Sequence, residues 1–129
     1  MHAISPITEA TGKLFALVAL SDGNVRDIEN TTAERIIECL RTKDADAGKY
    51  VYETALVNQP KFSEIEGLCA VLKQVDRPQQ YEFLRSCWYL ALCDKELNTN
   101  EEIVIFKIGD LLGISRFDSQ LAKKSATLG

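Results

Sequence analysis

The sequence of 129 residues predicts an all-α fold, a compact bundle of about seven helices with an internal pseudo-twofold repeat of helical hairpins. Three observations lead there. Apolar residues recur three and four apart along nearly the whole chain, and no stretch alternates as a half-buried strand does. Helix-start signals punctuate those stretches: Ser5 before Pro6, Ser63 three residues before Glu66, Asn98 and Ser115. A third observation is a segment that occurs twice, LVALSDGNVRDIE at 17–29 and YLALCDKELNTNE at 89–101, so that Ala19/Ala91, Leu20/Leu92, Asp22/Asp94 and Glu29/Glu101 coincide at a spacing of 72.

The first helix is expected from Pro6, which suits the first helical position because its missing N–H is unsatisfied there anyway, to about Ser21. The second runs from about Asp27 to Arg41 and the third from about Ala45 to Val57, where Asn58, Gln59 and Pro60 break the chain. A capping box of Ser63 and Glu66 opens the fourth, with Ile65, Leu68, Cys69, Leu72 and Val75 as one apolar stripe. The fifth starts at Pro78 and carries Tyr81, Leu84, Trp88 and Leu92. Asn98 caps the sixth, which reads as the central buried helix because Ile103, Val104, Ile105, Phe106, Ile108, Leu111 and Leu112 cover most of its sides; Gly113 ends it. Ser115 starts a seventh to about Ala126, with Lys123 and Lys124 in its last turn. Helices one and two form one copy of the repeat, five and six the other, and three and four are expected as a connecting layer.

Size and composition bound the function. The chain is one domain over 1–129, long enough to bury a single core without a metal or disulfide. With 46% hydrophobic and 26% charged residues it reads as an ordinary soluble globular protein. A net charge of -4 and the lack of a basic stripe argue against nucleic-acid partners. No run approaches the roughly 20 apolar residues of a membrane span, and no basic region precedes the first apolar run, so no membrane insertion and a cytoplasmic location are expected. Cys39, Cys69, Cys87 and Cys93 show no CxxC spacing and lie in or beside apolar helical stretches, as reduced core thiols do. Tyr81, Trp88 and Tyr89 read as core and edge packing. The sole histidine, His2, sits by the terminus, leaving no imidazole for a nucleophile, so an enzyme ranks third among the readings.

The repeated loops carry the functional signal, and two readings stand side by side. Glu29 and Glu101 fall at the third position of the following helix, where a glutamate reaches back to cap it. Asp22 and Asp94 follow the C-terminal ends of helices one and five, where the macrodipole disfavours an anion by a few tenths to about 1 kcal/mol. If the loops converge, Asp22, Glu29, Asp94 and Glu101 repel one another unless a cation enters or some of them bind protons. With Asn24, Asn98 and loop carbonyls they make a hard oxygen set suited to calcium, magnesium or manganese. Neither loop is an EF-hand: counting twelve positions from Asp94 puts Thr99 at the glycine position and Ile105 at the bidentate glutamate position.

These loops, together with the Leu112, Gly113, Ile114 closure of the second copy, resemble the TerB-like family of bacterial tellurite resistance and stress response, which includes the N-terminal domain of the DnaJ-like protein DjlA. The resemblance runs roughly from Lys13 to Ala122; Lys95 departs from the glycine usual in the family's loop. It implies a stress-response binding or scaffolding module with a protein partner, and a divalent cation at Asp22, Glu29, Asp94 and Glu101. Cys93, directly before Asp94, is placed to meet soft tellurium or selenium chemistry, but it reads better as a core thiol at a helix end. The alternative is a metal-free helical interaction domain whose acidic loops are caps and a partner-facing surface.

Overall fold

The computed structural model describes residues 5–21, 31, 45–93 and 99–128. Among these residues there are six α-helices and no strand: α1 Pro6–Leu20, α2 Ala45–Asn58, α3 Ile65–Leu72, α4 Arg77–Leu92, α5 Thr99–Leu111 and α6 Arg116–Leu128. All but Thr31 of the expected second helix, and the expected cap Asn98, lie outside the described residues.

Most helix starts follow from local chemistry. Ser5 Oγ accepts the Thr8 N–H at 3.1 Å, with Pro6 at the first helical position. Asp76 caps α4 by accepting the Gln79 N–H at 3.1 Å, so that helix starts one residue before Pro78. Ser115 accepts the Asp118 N–H at 3.1 Å at the start of α6. The expected capping box at Ser63 and Glu66 is corrected. A 3₁₀ turn, Phe62–Glu64, precedes α3, and the Glu64 carboxylate takes the Lys61 N–H at 2.6 Å, two residues earlier than expected. Helix α6 runs on to Leu128, so Lys123 and Lys124 precede its last turn, and the Lys123 ammonium instead lies 5.5 Å from the centre of the Trp88 ring.

Helix ends are as specific. Gly113 adopts φ 77°, and the Ile114 N–H reaches Gly109 O at 2.9 Å while the Gly113 N–H reaches Asp110 O at 3.1 Å, a Schellman closure of α5. Arg77, from the start of α4, donates to the Leu112 and Gly113 carbonyls at 2.7 and 2.9 Å, tying that closure to the next layer. After α2, Gln59 takes a left-handed φ of 55° and its N–H closes on Ala55 O at 2.7 Å; Pro60 then prevents continuation.

The central helix is α1, which corrects the expectation for the sixth. Leu14 to Ala19 are buried without a break, and α1 packs against α2, α3, α4 and α5. Helix α5 is amphipathic instead, with Val104, Ile105 and Ile108 inward and Ile103 55% exposed. Small side chains permit the central position, since Gly12 sits against Val51 of α2 and Ala16 and Ala19 are fully covered. The second structural copy places α6 on α4 as α2 lies on α1, so the third expected helix belongs to the repeat and is not a connecting layer. Around this frame Phe15 stacks on Phe83 at 5.1 Å and Trp88 meets the Phe106 ring edge-on at 5.0 Å.

Candidate functional site at the ends of the repeats

The two repeated helices end alike. Helix α1 stops at Leu20 and α4 at Leu92, 72 positions later. The following residues, Ser21 and Cys93, have nearly equal torsions (φ −66°, ψ −21° and φ −64°, ψ −25°) and close on Val18 O and Leu90 O at 3.3 and 3.4 Å. Neither helix has a basic side chain in its last turn. The partial negative charge of each terminus is therefore not balanced from its own helix, and each terminus leads directly into an aspartate of the sequence, Asp22 or Asp94.

Of the four carboxylates singled out from the sequence, Glu101 is placed by the structure; Asp22, Glu29 and Asp94 lie outside the described residues. Glu101 occupies the third position of α5 and is 2% exposed, while its neighbour Glu102 is half-buried. Burying a carboxylate to that extent is costly unless hydrogen bonds or opposite charge support it, and the N-terminal turn of a helix favours negative charge. Among the described residues no three His, Cys, Asp or Glu side chains converge in a way that holds a metal ion.

What the structure does bring together is the C-terminal end of α1 and the N-terminal end of α5. Ser21, the residue before Asp22, and Asn100, the residue before Glu101, line one open groove of about 550 Å³. Its apolar walls are Leu17 and Leu20 of α1, Ile103 and Val104 of α5, and Phe62; Gln59 and Pro60 close one side. Phe62 and Ile103 remain 49% and 55% exposed. Sequence reasoning missed this feature. The Asn58, Gln59, Pro60 stretch reads only as a helix break, and nothing in the sequence marks Phe62 just beyond it as lining a groove.

Two of the thiols lie in the core. Cys69 and Cys87 are buried and free, and burial pushes the Cys69 thiol up to about 12 and that of Cys87 well above the ordinary range. Cys93 is half-buried at the end of α4, and Cys39 lies outside the described residues. No helix among the described residues is long and apolar enough to cross a membrane.

Comparison with known proteins agrees with the helical pattern. A family model described as Tellurite resistance protein TerB matches residues 8–124, nearly the whole chain. No curated protein and no solved structure matches.

Proposed function

From the TerB tellurite-resistance family, to which this chain belongs, we propose a cytoplasmic, non-enzymatic binding or scaffolding module of a tellurite-resistance-type stress response. In this reading its two acidic loops take a hard divalent cation. The observation that carries the reading is the shared groove, on which the chain neighbours of Asp22 and Glu101 meet although they are distant in sequence. Asp22 and Asp94 follow helix ends of negative potential, and Glu101 offers a carboxylate withdrawn from solvent. Calcium, magnesium or manganese held by Asp22, Glu29, Asp94 and Glu101 would neutralise that accumulated charge and hold the two repeats together.

Thermal melting with and without millimolar calcium or manganese tests this. At a hundredfold excess over the dissociation constant a bound ion stabilises by about 2.7 kcal/mol, roughly 10 °C for a domain of this size. The Asp22→Asn, Asp94→Asn double variant is expected to lose the gain. A melting point indifferent to every divalent cation, with the double variant equally or more stable, would falsify the cation. The metal-free interaction domain would then take its place, a second reading favoured by the exposure of Phe62 and Ile103 beside the groove.

A further inference from the structure

The outer helix of each repeat, α2 on α1 and α6 on α4, is apolar on two sides. Helix α2 buries Val51, Tyr52 and Ala55, yet Tyr50 and Val57 are 63% and 81% exposed. Helix α6 buries Ala122 and Ala126, yet Phe117 and Leu121 are 72% and 44% exposed. At about 100° per residue, Tyr50 and Val57 share one outward stripe of α2 and Phe117 and Leu121 one of α6, each turned away from the buried side of its helix. An apolar stripe left in water is unfavourable, and packing against another helix covers it.

Each stripe carries a charge, and the two signs are opposite. Exposed Glu53 falls between Tyr50 and Val57, and exposed Lys124 falls one turn beyond Leu121, each within about 60° of its apolar neighbours around the helix. Among the described residues neither takes part in an ion pair. Half-buried Lys49 and exposed Asp118 stand about 100° round from Tyr50 and Phe117, at the flanks. A face of aromatic, aliphatic and acid on one repeat therefore has its complement, a face of aromatic, aliphatic and base, on the other repeat of the same chain. Two copies joined through like faces would set Glu53 against Glu53 or Lys124 against Lys124, and that repulsion selects the unlike pairing. With α2 antiparallel to α6 of the next copy, Lys124 comes over the Tyr50 ring and within one turn of Glu53, while Val57 meets Phe117.

We propose that the chain self-associates head to tail, the α2 face of one copy seating on the α6 face of the next. Because the two faces differ, the contact does not close as a twofold dimer but extends into short chains or rings. One helix face on another is a small contact, below the roughly 1,200 Å² of stable complexes, so the association is weak and shows at high concentration. It goes beyond the binding-module reading and does not depend on a cation at the acidic loops.

The test is sedimentation equilibrium of the wild-type protein in chelator and low salt, from about 10 µM to about 1 mM, the range in which weak contacts populate. The weight-average mass is expected to rise with concentration and to pass that of two copies. Glu53→Lys and Lys124→Glu should each weaken the association about fivefold or more, because each sets like charges face to face. Both substitutions in one chain make the faces complementary again and should restore the association to within about threefold of wild type. Glu66→Lys, the same charge reversal at an exposed site on α3, should leave it unaltered. Matched circular dichroism of all variants controls for folding. A wild type that stays monomeric throughout, a dimer that grows no further, single variants that associate like wild type, loss in both of them without recovery in the double variant, or an equal loss in Glu66→Lys overturns the proposal. The cation is read separately, from melting curves with and without manganese, so either result stands without the other.

Discussion

At Gly12 α1 lies close against α2, and Gly12→Ala probes that approach directly. A Cβ at this position would lie 2.7 Å from Val51 Cγ1, 2.9 Å from Val51 Cβ and 3.1 Å from the Tyr52 backbone nitrogen. Two of these atoms cannot swing aside, because Val51 Cβ and the Tyr52 nitrogen move only with the α2 backbone. The helices must separate by a few tenths of an ångström over a buried contact. Overpacking of this kind costs about 1–3 kcal/mol, here toward the upper end, against a gain of about 1 kcal/mol from replacing a mid-helix glycine by alanine. The expected net effect is a destabilisation of about 2 kcal/mol, a fall in melting temperature of roughly 7 °C.

Gly67 supplies the matched control. It lies within α3, and a Cβ added there would have nothing within 4 Å, so Gly67→Ala should keep the propensity gain and raise the melting temperature by about 4 °C. Thermal unfolding followed by far-ultraviolet circular dichroism measures both. Adding Val51→Ala to Gly12→Ala removes the Cγ1 contact, and a double-mutant cycle should show favourable coupling of about 1 kcal/mol or more. A Gly12→Ala protein as stable as wild type would refute the close packing of α1 on α2, and with it the account of why α1 occupies the centre.

Two further expectations concern the thiols and the α5 closure. Site-resolved mass spectrometry after iodoacetamide treatment near neutral pH should find Cys93 labelled before Cys69 and Cys87, which stay protected until denaturation because burial holds their thiols protonated, that of Cys69 up to about 12; equal labelling rates of these three would refute this. Arg77→Met should lower stability by about 1–2 kcal/mol through loss of the bonds to the Leu112 and Gly113 carbonyls. Arg77→Lys should recover only part of it, since an ammonium lacks the planar fork that meets both oxygens; full recovery in a melting experiment would show that charge alone suffices.

Local signals were legible from the sequence because their causes are local. Ser5 with Pro6, Ser115, and Gly113 with Ile114 act within one helical turn, and the structure uses each where it was expected. The repeat was legible too, and α1 and α4 end at matching residues. Competition between near neighbours was harder: Glu64 and Glu66 are both acids near the start of one helix, and the 3₁₀ turn at Phe62–Glu64 gave the role to Glu64. Packing order was not legible at all. Counting apolar residues favours the helix of Ile103 to Leu112 as the centre, but burial depends on how closely neighbours approach, and Gly12, Ala16 and Ala19 let other helices surround α1. Among the candidate carboxylates, the sequence by itself singled out Glu101 through the repeat, while its near-complete burial came from the fold. The groove is wholly tertiary: Leu20, Phe62 and Ile103 are some 40 residues apart from one to the next, no periodic pattern links them, and only the packing of α1 against α5 beside the 59–62 corner brings them to one surface.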